Sequence, residues 1–190
     1  LLPILVRHPR VLDAWVDHHR LALRKAFDVA TGKATEKSRG YSPLPVDGPD
    51  GEVIVPSGHA LRRFFNVPRT AVQIVGPGGA GKTRLAVQVG LWIFGGEMFS
   101  HPAAALFIDE EFDDLATLLR AKITAALDKE ELPPEFVLAL VRRQRIVLII
   151  DRVSERQPAT RDAVSTLYRK LPANALLLTA RYEISLEAQA

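Results

Sequence analysis

The chain has no cysteine in its 190 residues, which excludes disulfides and thiolate metal sites. No apolar run approaches the ~20 residues that a membrane-crossing helix needs, so no membrane segment is expected in this stretch. The opening Leu1-Leu2-Pro3-Ile4-Leu5-Val6 is too short for the apolar part of a signal peptide and has no basic residues before it. A strong charge of one sign is also missing. Lys and Arg number 25 against 22 Asp and Glu, a net charge of +3, with no concentrated basic arm. That balance does not call for a nucleic-acid partner. There is no internal repeat and no low-complexity tract. What remains is a composition that is 47% hydrophobic and 25% charged, ordinary for a globular chain long enough to build one α/β core. A cytoplasmic setting is expected. Because the first residue is Leu1 rather than Met, the chain reads as a piece of a longer protein.

Residues 11–27 carry Leu12, Trp15, Val16, Leu23, Ala26 and Phe27 at three- and four-residue spacing, which predicts an amphipathic helix. Residues 31–52 are rich in Gly, Pro, Ser, Lys and Asp and read as a linker. Val53-Ile54-Val55 is a short strand candidate, and Ser57 is placed to cap a short helix ending at Phe65. Strand candidates at 70–75, 104–109, 145–151 and 174–180 then alternate with helical segments at 82–94, 113–127, 135–143 and 158–170. The strands are near-continuous apolar runs, as in strands buried on both faces. The expected fold is therefore α/β, a three-layer α/β/α sandwich on a mainly parallel sheet. The expected organisation is a helical segment at 1–30, a linker at 31–52 and a nucleotide-binding core at 53–190, cut short at its C-terminus.

The chemistry is concentrated in Gly76-Pro77-Gly78-Gly79-Ala80-Gly81-Lys82-Thr83, followed by Arg84. It fits G-x-x-x-x-G-K-[ST], the phosphate loop of P-loop NTPases, and lies between an apolar run and a helical segment. Glycines let the backbone curl so that several N–H groups face phosphate oxygens. The following helix adds roughly half a positive charge at its N-terminus. Lys82 supplies a point charge for the β- and γ-phosphates, and Thr83 a hydroxyl for Mg²⁺. A chance Gly-rich turn does not account for every one of these positions in that context.

Such a loop needs a carboxylate for Mg²⁺. The run Arg145-Ile146-Val147-Leu148-Ile149-Ile150-Asp151 delivers Asp151 to the carboxyl edge of the sheet, where ligands of open α/β sheets bind. Four residues on, Glu155 is suited to polarise a water for in-line attack on the γ-phosphate. The bland alternative is a solvated loop charge. The run Ala175-Leu176-Leu177-Leu178-Thr179-Ala180-Arg181 ends at the same edge. Arg181, with Thr179, is suited to sense the γ-phosphate, since a guanidinium matches phosphate oxygens in a bidentate way. An ordinary exposed arginine after a strand is the competing reading.

With these three elements in order, residues 57–185 resemble a NACHT-type NTPase of the STAND class, the signal-transduction ATPases with numerous domains. Asp151-Arg152-Val153-Ser154-Glu155 resembles the extended Mg²⁺ motif D-G-x-D-E, and Leu177-Leu178-Thr179-Ala180-Arg181 resembles the sensor strand L-L-T-S-R. Leu91-Trp92-Ile93-Phe94 after the loop is also typical. Arg152 and Ser154 depart from the motif, where a small residue and an Asp are usual. The resemblance implies an ATP/ADP switch that uses Mg²⁺ and self-associates with ATP bound. It also implies sensor and effector domains elsewhere in the protein, and slow ATP hydrolysis with Glu155, Lys82 and Arg181 in the catalytic roles.

Alternative readings are an AAA+-like remodelling ATPase, a small-molecule or nucleotide kinase, and an interaction module that holds nucleotide without hydrolysis. No L-S-G-G-Q stretch marks a transporter ATPase, and no N-K-x-D stretch marks guanine recognition. Other polar groupings have plain explanations. The acidic cluster Asp109-Glu110-Glu111 and Asp113-Asp114 suits a helix N-terminus. His18 and His19 are adjacent on a helix and point apart. Arg142, Arg143 and Arg145 read as a solvated helix end, with a trans arginine finger as the sharper option.

Overall fold

A near-continuous apolar run makes a strand that must be covered on both faces, and three of the strands are of this kind. Ala104–Ile108, Ile146–Ile150 and Leu176–Ala180 are buried along their whole length. In the computed structural model, which describes residues 7–36, 42–67, 71–128, 132–170 and 175–186, they form a four-stranded sheet with Val72–Val75. In chain order the elements are α1 (Pro9–Glu36), β1 (Val46–Asp47), β2 (Val53–Ile54), α2 (Gly58–Phe65), β3 (Val72–Val75) and α3 (Lys82–Gly95). They continue as β4 (Ala104–Ile108), α4 (Leu115–Ala126), α5 (Pro134–Arg142), β5 (Ile146–Ile150), a 3-10 turn (Val153–Glu155), α6 (Pro158–Lys170) and β6 (Leu176–Ala180). The fold is a parallel α/β sheet flanked by helices, as the alternating pattern predicts.

The sheet order is β3-β6-β5-β4, every pair parallel. Sequence alternation alone does not specify this order. The last strand enters between the first and the third, with Ile74 opposite Thr179 and Ile150 opposite Leu178. The carboxyl end of β6 therefore lies between the loop after β3 and the turn after β5. β1 and β2 form a separate antiparallel pair.

Helix α1 runs from Pro9 to Glu36, well past the expected end at 27 and into the segment read as linker. Thr31 is buried there, its hydroxyl donating to the Phe27 carbonyl at 2.8 Å. The rest of that linker reading is partly outside the described residues. Leu12, Val16, Leu23 and Phe27 of α1 are fully buried in the same core as the sheet. The Phe27 ring meets Phe94 of α3 and Phe107 of β4 edge-on. Gly90 of α3 lies under that ring: a Cβ there would come within 2.3 Å of Phe27 Cζ. Arg20 of α1 also donates to the Phe94 carbonyl.

The ends of the elements follow their caps. The Ser57 hydroxyl accepts from the Ala60 N–H at 3.1 Å and starts α2. Asp114 caps α4 in the same way, accepting from Ala116 and Thr117, so the helix begins after the acidic cluster rather than within it. Arg145 corrects the basic-patch reading. It is buried, paired with Asp13 of α1 at 2.7 Å, and donates to the Arg143 carbonyl at 2.8 Å. The guanidinium closes the edge of the core instead of facing solvent. Among the described residues no helix is long and apolar enough to cross a membrane.

Candidate functional site

The glycine-rich loop Gly76–Thr83 connects the carboxyl end of β3 to the N-terminus of α3. Its first residue is anchored sideways, the Gly76 N–H donating to the Ala180 carbonyl at the end of β6 at 3.2 Å. Gly79 and Gly81 take φ of 79° and 83°, a left-handed conformation that side chains disfavour. Gly81 is also the N-cap of α3 and has no side chain to satisfy the helix's first N–H groups. Those groups belong to the turn containing Lys82, Thr83 and Arg84, and they have no intrahelical carbonyl to bond. Pro77, Gly78, Gly79, Ala80 and Arg84 are exposed, while Gly76, Gly81, Lys82 and Thr83 are partly covered. The Lys82 ammonium donates to the carbonyls of Gly76 and Pro77 at 2.7 Å each, bracing the loop from within.

Asp151 follows β5 and is 2% exposed. A buried carboxylate must be compensated, and here hydroxyls and cations do so. Thr83 Oγ1 lies 2.9 Å and 3.0 Å from its two oxygens. Thr179 Oγ1 donates to Oδ1 at 2.5 Å, and Arg152 Nε lies 3.3 Å from Oδ2. Strands β5 and β6 and the start of α3 thus meet on one side chain. The Asp151 carbonyl is held as well, by Arg156, whose guanidinium nitrogens donate at 3.2 Å.

Thr179 is fully buried. Its hydroxyl donates to Asp151 and accepts from the Arg152 N–H at 2.8 Å. It orients the carboxylate and the turn after it. Arg152 itself has φ 58° and ψ 38°, a left-handed residue in the turn. That is why a glycine fits this place in the motif the segment resembles. The 3-10 turn then carries Glu155 back toward β6. Arg181 donates from Nε to Glu155 Oε1 at 2.8 Å, and its backbone N–H donates to Ser154 Oγ at 2.9 Å. Ser154 thereby ties the end of β6 to the turn.

The Arg181 guanidinium bonded to Glu155 is the main reason that its carboxyl lies below the ordinary glutamate range, with the charges of Arg152 and Lys82 adding to it. Glu111 lies at the same edge of the sheet. It accepts from Thr160 Oγ1 at 2.6 Å and from the Gln157 N–H at 3.2 Å, and it pairs with Arg156 at 3.7 Å. The Thr160 hydroxyl is the main cause of its lowered carboxyl pKa. Sequence reading grouped Glu111 with its acidic neighbours. Its separate role as the strut that seats the start of α6 is set by Thr160, 49 residues away. Arg156 was missed too, since nothing local marks it.

The residues predicted from sequence therefore gather at one sheet edge. Thr83 and Thr179 meet on Asp151, Arg181 meets Glu155, and Lys82 braces the loop beside them. Thr83 and Asp151 bring hard oxygen donors into contact, and such a pair fits Mg²⁺, which takes one or two protein oxygens and completes its shell with phosphates and water. Among the described residues no group of three or more His, Asp or Glu is arranged for a metal, so the cation would depend on the nucleotide.

No protein-family model and no curated protein matches the chain. Among solved structures, that of C. elegans PCH-2 aligns at 19% identity over 66% of this chain and 35% of that chain, with a TM-score of 0.36. A likeness at that level carries no functional argument, so the reading of this chain rests on its own residues.

Proposed function

We propose that this chain binds ATP with Mg²⁺ at Gly76–Thr83 and hydrolyses it slowly, as the nucleotide-controlled switch module of a larger signalling or defence protein of the NACHT kind. The observation that carries the reading is the contact of Thr83 with Asp151. It joins the phosphate loop to a buried carboxylate that comes from a different strand, 68 residues away. A glycine-rich turn without nucleotide chemistry has no need of that carboxylate, and burying it is costly.

In this reading Lys82 leaves the Gly76 and Pro77 carbonyls for the β- and γ-phosphates. The N–H groups at the start of α3 receive the remaining phosphate oxygens. Thr83 and Asp151 hold Mg²⁺, which when bound neutralises phosphate charge and orients the γ-phosphate. Arg181 is committed to Glu155 until a γ-phosphate offers it a stronger partner. Exchange of Arg181 from carboxylate to phosphate releases Glu155 to accept a proton from the attacking water. The same exchange makes the ATP and ADP states differ in which group Arg181 holds, which is the differential contact a switch requires. Self-association with ATP bound, and sensor and effector domains elsewhere in the protein, belong to the same proposal.

A second reading, nucleotide binding without hydrolysis, is favoured by one observation. Glu155 is bonded to Arg181, and the lowered basicity of its carboxylate makes it a poor proton acceptor. Equilibrium binding of Mg-ATP and Mg-ADP, with phosphate release followed in parallel, separates the two. Binding lost in Lys82→Ala, with slow release abolished in Glu155→Gln, is the result expected for a hydrolysing switch. Binding without release in every variant supports the second reading. No nucleotide binding by the unaltered chain refutes both.

A further inference from the structure

Arg152 holds a position that the proposed nucleotide chemistry does not explain. Its Nε lies 3.3 Å from Asp151 Oδ2, on the same carboxylate that Thr83 contacts. Its backbone is fixed there. The N–H is bonded to Thr179 Oγ1, and the left-handed φ of 58° turns the residue back over the preceding aspartate. The side chain is half exposed at 49%, so the guanidinium joins a buried carboxylate, itself 2% exposed, to the surface of the site. A left-handed arginine is an unfavourable choice for a turn in which glycine has no Cβ to strain. The cation is therefore the feature that sets this turn apart from a glycine turn.

We infer that Arg152 is a tethered cation serving the metal side of the site: it neutralises Asp151 and faces the bound phosphates, so nucleotide binding here depends only weakly on Mg²⁺. The inference rests on the nucleotide-binding reading above and adds to it the role of a residue that reading leaves unused. The physical argument is charge balance. Asp151 and Glu155 carry two negative charges, while Lys82, Arg152 and Arg181, whose charges all act on Glu155, carry three positive ones at the same edge. Such a set already favours a polyphosphate without a divalent ion. A Mg²⁺ entering at Asp151 would meet the guanidinium on the same oxygens, and like charges at that separation repel. The cation and the arginine therefore compete for Asp151. Removing the arginine restores the ordinary requirement for metal.

The test is equilibrium binding of a fluorescent ATP analogue to the unaltered chain and to Arg152→Gly, each with millimolar Mg²⁺ and with EDTA. Arg152→Asn is a second variant, because asparagine tolerates the left-handed backbone. Lys82→Ala is the control for the phosphate loop. Circular dichroism checks that each variant is folded. The expected result is a change of about threefold or less between Mg²⁺ and EDTA in the unaltered chain, and of about tenfold or more in Arg152→Gly and Arg152→Asn. A strong Mg²⁺ requirement in the unaltered chain, with binding still lost in Lys82→Ala, overturns the role of Arg152 and leaves the nucleotide site intact. Equal Mg²⁺ dependence in the unaltered chain and in both Arg152 variants overturns it in the same way. Absence of nucleotide binding by the unaltered chain in both conditions overturns the inference together with the reading beneath it.

Discussion

Replacing Thr179 by valine isolates the physical role of a single hydroxyl. Valine keeps the β-branched shape, and so the fit of the residue within strand β6. It removes both bonds of the hydroxyl. Asp151, 2% exposed, loses its 2.5 Å donor, a charged hydrogen bond of a kind worth about 1.5–3 kcal/mol. The Arg152 N–H loses its 2.8 Å acceptor; it is part-buried, so leaving it unpaired costs about 1–2 kcal/mol. Thr83 and Arg152 still face the carboxylate, so the charge is not abandoned. The sum expected is a destabilisation of about 3–5 kcal/mol. Serine keeps the hydroxyl and loses one buried methyl, which costs about 1 kcal/mol. Urea unfolding followed by circular dichroism reads both variants. With a slope of about 2 kcal/mol per molar urea, Thr179→Val lowers the midpoint by roughly 1.5–2.5 M and Thr179→Ser by about 0.5 M. A valine variant within about 1 kcal/mol of the serine variant would refute the argument that this hydroxyl compensates the buried carboxylate.

Three further outcomes follow from the packing and the charges. Gly90→Ala places a Cβ 2.3 Å from Phe27 Cζ and 3.2 Å from Ile149 Cδ1, so its overpacking should outweigh the gain in helix propensity and lower stability by about 1–2 kcal/mol in thermal unfolding. Phe27→Leu in the same chain should recover part of that loss, and no recovery would mean that α1 does not press on α3 at this point. Asp13→Ala leaves the buried Arg145 guanidinium without its carboxylate and should cost about 2–3 kcal/mol by chemical denaturation, a loss much reduced when Arg145 is leucine. Acidification should destabilise the fold in two stages. Burial holds His101 below its ordinary 6.5, so the unfolded chain takes up that proton first and stability falls as the pH drops below about 6.5. Glu111 and Glu155, held below their ordinary 4.5 by Thr160 and Arg181 respectively, give a second loss beginning below about 4.5. Unfolding curves from pH 8 to 3 check this, and His101→Gln should flatten the first stage alone; an unchanged first stage would refute the assignment.

The fold class and the two main chemical elements were legible from local pattern. A strand buried on both faces must be apolar throughout, so Ala104–Ile108 and Ile146–Ile150 declare themselves. A phosphate loop needs its glycines, lysine and threonine in one short segment, so it is visible without any tertiary information. Helix ends were legible to within a residue or two where a cap is local, as at Ser57. The end of α1 was not, because the residues beyond 27 are polar enough to read as linker and nothing local stops or extends the helix.

What the chain alone determined is that a glycine-rich G-x-x-x-x-G-K-T segment follows one apolar strand and that acidic residues follow another. Both depend on residues adjacent in sequence, and adjacency is what a linear pattern records. Tertiary structure decided which of those acids is held and by what. The entry of β6 between β3 and β5 brings Thr179 onto Asp151 and Arg181 onto Glu155, contacts spanning 28 and 26 residues. It also turned Arg145 inward to Asp13, across 132 residues. These pairings depend on strand order and on the burial of charge, and neither is encoded in the spacing of neighbours.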